Sequence, residues 1–373
     1  MQKSAVEKNF NSKDYLSVES DFTKDADSFS NDLAKKDVEV ILHFFKHGYA
    51  GYNFINQHIV KTAVAELEML PDQNTTSWKI LCSKVASIFQ KVPDNHLKVK
   101  FAEQNCLDKP LSEKRNGVVG KNIVDGNTTK PFFLSFRTVK GKNIGVIGIK
   151  NFPSFDDARW GQFEGSIEQL MSAESIIIDL RGNEGGDDSR GMQLVNRLAG
   201  KRIQQGQYAV DIEGTDLATY VLILNKITSK EIASSKKAWL RYREMYEKKL
   251  NHPRQQENES PKEQSYSGIR ENGYLKPIFV LADRACGSSG ESTLLALKQL
   301  KNVITIGQNT AGTLHFGNQG LLLLPHSRIR VSMSTKIIKL NDGSFIEKTG
   351  FPPDLLLPDG QDALDYVVSK LIK

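Results

Sequence analysis

The chain has 373 residues, 39% hydrophobic and 25% charged, which is ordinary globular usage with room for about two domains. Its net charge is +6, and the basic excess is scattered Lys with no Arg/Lys stripe interleaved with aromatics, which argues against nucleic acid as a partner. No apolar run reaches the roughly 18–20 residues that span a bilayer, so no membrane span is expected. The first twenty residues hold no apolar signal core, which places the chain in the cytoplasm unless a signal peptide has been removed, in which case it works outside it.

Residues 1–30 are polar and read as a loose lead-in. From 31 to 100 the pattern is helical, with apolar residues at three- and four-residue spacing over 32–52, 58–70 and 77–92, followed by a turn at Pro93 and a short strand. Residues 101–130 are rich in Gly, Asn and Lys and read as a connection. They are too few for a PDZ domain, since a compact domain needs about 50 residues. Residues 131–373 then alternate strand and helix, which argues α/β. Strands are expected at 131–139 and 144–152, a hairpin turning on Lys140–Asn143. A helix over 156–173 carries Trp160, Phe163, Ile167 and Leu170 on one face, as core residues. The apolar run 175–180 reads as a buried strand and 187–199 as a helix. A charged, helical insertion is expected at about 229–266. The core resumes with a strand at 276–282, a helix at 289–300, strands at 303–307, 321–325 and 329–340, and a terminal helix at 362–372.

Three cysteines, Cys82, Cys106 and Cys286, form no CxxC pair and have no His at metal-ligand spacing. They read as small buried side chains, with one disulfide left open. No metal site follows from them.

Two stretches carry chemistry. In Asp179-Leu180-Arg181-Gly182-Asn183-Glu184-Gly185-Gly186 a buried strand enters a Gly-rich turn whose backbone N–H groups can face a ligand. It lacks the Lys-Ser/Thr of a phosphate loop, and an oxyanion hole is the better use. Asp179 and Arg181 read as a bracing ion pair. In Cys286-Gly287-Ser288-Ser289-Gly290-Glu291 a serine stands between a strand and a helix N-terminus, whose field favours an anionic intermediate. A helix cap by Ser288 or Ser289 is the plainer alternative.

These motifs, with Gly307-Gln308-Asn309-Thr310-Ala311-Gly312 and Gly350-Phe351-Pro352-Pro353-Asp354 following in order, resemble the tail-specific, C-terminal-processing serine peptidase family. That family includes the tricorn core protease and the repeats of interphotoreceptor retinoid-binding protein. The resemblance covers roughly 131–373 and, more weakly, 30–100. It implies an α/β fold with a ClpP/crotonase-like stacked ββα core beside an N-terminal helical domain. It also implies Ser288 as nucleophile, with an oxyanion hole from the N–H groups of Ser289 and Gly186, or Gly185 as the near alternative.

The position of the dyad lysine in the better-known branch falls on Thr313 here. The tricorn branch instead uses a His and a Glu, which match His96 and Glu347. A serine that precedes the His in that branch is Asn95 here. His315 is the rival base. His43, His47, His58, His252 and His326 read as surface residues, and Cys286 as misplaced for a nucleophile. The resemblance thus implies a serine endopeptidase acting on protein or peptide substrates through an acyl-enzyme, with no cofactor and no metal. Two other readings share the fold: a non-catalytic ligand- or peptide-binding module, and an acyl-CoA enzyme.

Overall fold

The structure, a computed structural model, describes residues 10–72, 76–102, 104–107, 131–154, 157–203, 208–211, 217–229, 236–252, 273–340 and 342–372. Of the connection expected at 101–130, residues 103 and 108–130 lie outside the described residues, as do 230–235 and 253–266 of the charged insertion expected at about 229–266. In chain order the elements begin with α1 (Asn31–His47), α2 (Gly51–Phe54), α3 (Gln57–Glu68), α4 (Trp78–Gln90), β1 (Lys98–Phe101) and β2 (Gln104–Asn105). There follow β3 (Phe132–Val139), β4 (Lys142–Ile149), α5 (Ala158–Ser166), β5 (Ser175–Asp179), α6 (Asp188–Ala199), β6 (Tyr208–Asp211), α7 (Leu217–Thr228) and α8 (Lys236–Asn251). The last are β7 (Ile278–Ala282), α9 (Ser289–Leu297), β8 (Val303–Gly307), β9 (Phe316–Leu323), β10 (Arg330–Leu340), β11 (Leu355–Leu356) and α10 (Ala363–Tyr366). Among the described residues no helix is long and apolar enough to cross a membrane.

Contacts divide the chain into two units. The first takes 1–108, 209–260 and 315–339, and the second takes 109–208, 261–314 and 340–373. The contact division thus gathers three chain segments into the first unit, among them most of the expected insertion.

In the first unit, Ser30 and Ser77 cap α1 and α4, each side chain accepting from the third helical N–H. The apolar faces of these helices supply Phe44, Phe45, Leu81 and Phe89 to a common core with Leu67 of α3, Leu222 of α7 and Phe316 of β9. A sheet of β2, β1, β10 and β6 in that order, with β9 also on β10, completes the unit. The sequence reading assigns no element to α7, whose run is apolar almost throughout and so lacks helical periodicity. Gly320 on β9 lets α7 approach, because a Cβ there would lie 2.5 Å from the Leu222 Cβ.

Cys82 and Cys106 are joined in a disulfide with their Cα atoms 5.5 Å apart. The one disulfide that the sequence leaves open is thus Cys82–Cys106, where small buried thiols are the preferred reading, and Cys286 stays free. The β1–β2 hairpin folds back on α4, with Cys106 N–H on Val99 O and the Ser83 hydroxyl on Cys106 O, a juxtaposition that linear spacing does not reveal.

The second unit is built on a sheet ordered β11-β8-β7-β5-β4-β3. The β3–β4 hairpin is antiparallel, whereas β4, β5, β7 and β8 run parallel. Its turn is tighter than expected: Val139 pairs with Lys142, leaving Lys140 and Gly141 at φ of 51° and 80°. One sheet face packs Ile147, Ile149, Ile176, Ile178 and Val280 with Trp160, Phe163, Ile167 and Leu170, as the helical spacing predicts. The other face packs Val146, Ile177, Phe279 and Leu281 with Leu364 and Val367 near the C-terminus. Burial on both faces explains the uninterrupted apolar runs of β5 and β7.

Replacing Cys82 and Cys106 together by serine is expected to lower stability by about 2–4 kcal/mol, read by urea denaturation. Unchanged unfolding of the double variant, or of the reduced wild type, contradicts a structural role for the cross-link.

Candidate active site

Parallel neighbours in register finish at one edge of the sheet. Asp179 pairs with Leu281 and Ala282 with Gly307, so the turns after β5, β7 and β8 emerge side by side. The carboxyl edge of a parallel sheet is the usual place for a ligand crevice. Here it collects the Gly-rich turn at 182–186, the serine turn at 283–288 and the loop at 308–314.

The Gly-rich turn is fastened to its neighbours by Asn183. Its buried side-chain amide accepts from Gly185 N–H at 2.8 Å and donates to Ile149 O at 3.0 Å, while the Asn183 backbone carbonyl accepts from Gly287 N–H at 2.9 Å. Gly185 and Gly186 have φ of 95° and 126°, and a Cβ on Gly185 would lie 2.7 Å from the Ser288 Cβ. The turn therefore touches the serine through glycine backbone alone. Among the described residues the N–H groups of Gly186 and Ser289 have no acceptor, whereas that of Gly185 is taken by Asn183.

Ser288 is half-buried at the N-cap of α9, with φ 53° and ψ −121°. For a residue with a Cβ this backbone region costs on the order of 1–3 kcal/mol and persists only when the surroundings over-determine it. Its hydroxyl makes no helix-cap bond; Glu291 N–H goes to the Ser288 carbonyl at 2.8 Å, and Ser288 N–H goes to Glu291 Oε2 at 3.2 Å. The Ser289 hydroxyl, by contrast, is engaged, its single proton shared between Gly186 O at 2.7 Å and the Asp188 carboxylate.

Glu291 is fully buried. Its Oε1 accepts from the Thr310 hydroxyl at 2.5 Å and Gly312 N–H at 2.8 Å, and its Oε2 from Thr313 N–H at 2.7 Å. Burial pushes this carboxyl above its usual range, and those donors pull it back. Thr313 adds its hydroxyl, which accepts from Ser288 N–H at 2.8 Å and donates to Glu291 Oε2 at 3.2 Å.

The same loop holds the turn that bears Glu347. Lys348 N–H bonds Gly312 O at 2.8 Å, and Phe351 N–H bonds the Thr310 hydroxyl at 2.7 Å. Gly350 is required there, since a Cβ would lie 2.0 Å from Thr310 O. Glu347 is only 4% exposed, not a solvated strand end. Ser288, Ser289, Gly185, Gly186 and the Glu347 turn thus belong to one hydrogen-bonded assembly in the second unit.

His96, Asn95 and His315 belong to the first unit. His96 lies between α4 and β1, in a turn anchored by Asp94, which is buried. Asp94 Oδ1 accepts from His96 N–H at 2.6 Å, and Oδ2 accepts from the Ser334 hydroxyl on β10 at 3.0 Å. The His96 side chain is 14% exposed; its Nδ1 lies 4.0 Å from Asp94 Oδ1 and has no hydrogen-bond partner among the described residues. Burial, then the charge on Lys98, pulls His96 down to about 4, so it is neutral at pH 7. Burial raises Asp94 to about 6 against its donors. His315 is almost fully buried, and its Nδ1 bonds Ile338 O at 2.8 Å, which fixes the proton on that nitrogen.

Cys286 is buried, with its thiol pushed well up by that burial, so it is unsuited to be a nucleophile. Arg181 grips Asp179 through Nε and Nη2 at 2.8 Å each and Asp362 through Nη1 at 2.8 Å, which makes it a brace. An open cleft of about 470 Å³ is lined by Arg284, Gln308, Asn309, Lys348 and Leu356 among others; Ser288 is not part of its lining. The sequence reads Glu291 as a motif marker and as a residue that completes the helix cap, and Thr313 as the place of a missing lysine. The Ser-x-x-Glu spacing was the available signal for the former, since it sets a carboxylate against the N-cap amide.

The sequence profile of peptidase family S41 matches residues 143–357. The chain belongs to peptidase family S41, a family of serine peptidases, and peptide substrates follow from that membership. Among solved structures it is similar to mature CPAF, at 14% identity and a TM-score of 0.59 over 88% of this chain and 93% of that one. It is also similar to a candidate peptidase from Parabacteroides merdae, at 14% identity and a TM-score of 0.57 over 91% of this chain and 97% of that one. At such identity these likenesses establish the fold. A search of curated proteins finds no match.

Glu291→Gln keeps the size but turns one amide hydrogen pair against N–H groups already pointing inward. It is expected to cost about 2–3 kcal/mol, measured by urea unfolding. A variant as stable as wild type contradicts the ionic clamp.

Proposed function

We propose that the protein is an endopeptidase in which Ser288 attacks the peptide carbonyl, His96 is the general base and Glu347 supports the imidazolium. The observation that carries this reading is Ser288 itself: a serine in a disfavoured backbone conformation beside two N–H groups, those of Gly186 and Ser289, that have no acceptor among the described residues. Such donors suit the oxyanion of a tetrahedral intermediate. The bond from Gly185 N–H to Asn183 favours Gly186 over Gly185 for this role.

In the proposed reaction the Ser288 Oγ–carbon bond forms as its proton passes to His96. The tetrahedral intermediate collapses with cleavage of the C–N bond, and His96 returns the proton to the departing amine. Water, deprotonated by His96, then attacks the ester, releasing the acid and restoring Ser288. The base must be neutral, and the depressed His96 meets that requirement at pH 7. The buried carboxylate of Glu347 would stabilise the imidazolium and draw its pKa upward in the reacting complex. His315 remains the rival, since the bond from Nδ1–H to Ile338 O places the lone pair on Nε2, as a general base requires. The Cys82–Cys106 cross-link supports work in an oxidising, extracytoplasmic compartment.

Ser288→Ala is expected to abolish peptide hydrolysis while the fold persists, and His96→Ala to lower kcat by about 10³-fold or more. An active His96→Ala enzyme that is silenced by His315→Ala would transfer the role. A wild type that binds peptide without hydrolysing it favours the binding-module reading.

The pH profile gives a separate test. Protonation removes the base, so kcat/KM falls as pH drops through the pKa of the folded His96. Because that pKa is depressed toward about 4, the acid limb should lie below the ordinary imidazole value of 6.5. A limb centred at or above that value contradicts the assignment.

A further inference from the structure

We infer that Thr313 is a positioning residue for Ser288, its hydroxyl holding the nucleophile's backbone amide in the conformation the site needs. The inference rests on the reading of Ser288 as nucleophile. Three features meet at the Thr313 Oγ1. It accepts from Ser288 N–H at 2.8 Å, the shorter of the two bonds that amide makes, the other being 3.2 Å to Glu291 Oε2. Its own proton is directed to Glu291 Oε2, which turns a lone pair toward Ser288. Gly287 leaves the space it occupies, since a Cβ there would lie 2.5 Å from Thr313 Oγ1.

Thr313 is itself fixed, with its N–H on Glu291 Oε2 at 2.7 Å. The amide it holds belongs to a residue at φ 53°, outside the region that side chains favour. A hydroxyl at 313 therefore acts on catalysis through backbone geometry, by way of the Ser288 amide and Glu291. A valine keeps the shape of threonine but neither accepts from Ser288 nor donates to Glu291. A serine keeps both.

The test is the rate of covalent capture by a fluorophosphonate, in which the serine oxygen displaces fluoride from phosphorus. Rate and apparent affinity are separated by varying probe concentration, and the folded fraction is measured alongside. Thr313→Val is expected to slow capture about tenfold per folded molecule at unchanged probe affinity. Thr313→Ser should restore the rate to within about twofold, and the pH midpoint should stay at its wild-type value, since the base is untouched. Capture by Thr313→Val at the wild-type rate overturns the inference. So does a Thr313→Ser variant as slow as Thr313→Val, which would shift the effect to the methyl group. Loss of capture that merely follows loss of folded protein also overturns it. A wild type that is not captured, alongside an equally inert Ser288→Ala control, removes the nucleophile reading and this inference with it, an outcome distinct from the others.

Discussion

Glu291 is enclosed completely, and its two oxygens accept from Ser288, Thr310, Gly312 and Thr313. A carboxylate without water is costly unless donors surround it, and here the donors come from both the serine turn and the loop after β8. Each of those segments is irregular, so neither has a ladder of its own to define it. The shared carboxylate sets their separation, and with it the position of Thr313 against the Ser288 amide. Thr310 and Gly312 then pass the constraint to the turn that carries Glu347.

This organisation depends on the parallel register beneath it. Because β5, β7 and β8 end together, three loops of unrelated sequence begin within reach of one another. Asn183 fastens the Gly-rich turn to the serine turn, and Glu291 fastens the serine turn to the last loop. Glycines stand where a side chain would separate them. Gly185 faces Ser288 and Gly350 faces Thr310, each with φ in the region that glycine tolerates. The strain at Ser288 is held by this web rather than relieved by it.

Much of this was legible in the sequence. The apolar runs of β5 and β7 match their strands, and Trp160, Phe163, Ile167 and Leu170 are core residues as read, although the helix expected over 156–173 is α5 followed by a 3-10 helix at Ile167–Ser172. The Gly-rich turn and the Ser-x-x-Glu start, both singled out from residue type, lie side by side at the carboxyl edge of that sheet. Other features were not readable, for physical reasons. The helix α7 is apolar around most of its circumference, so it carries no amphipathic signature. The Cys82–Cys106 bond depends on how a hairpin folds back on α4. Thr313 looks like the loss of a lysine when only residue type is considered, and its hydrogen bond to Ser288 exists only in three dimensions. The difference between Gly185 and Gly186 likewise turns on Asn183, whose amide takes the Gly185 N–H and, among the described residues, leaves that of Gly186 without an acceptor.

The account turns on Ser288 as the reactive group, and the most direct measurement is the site of covalent modification. The folded protein is treated with a fluorophosphonate, digested and read by tandem mass spectrometry, with a urea-unfolded sample in parallel. The account predicts a single adduct on Ser288 of the folded protein and none on the unfolded chain. An adduct on Ser289 or at a serine outside this turn, or equal labelling of the unfolded chain, would contradict it.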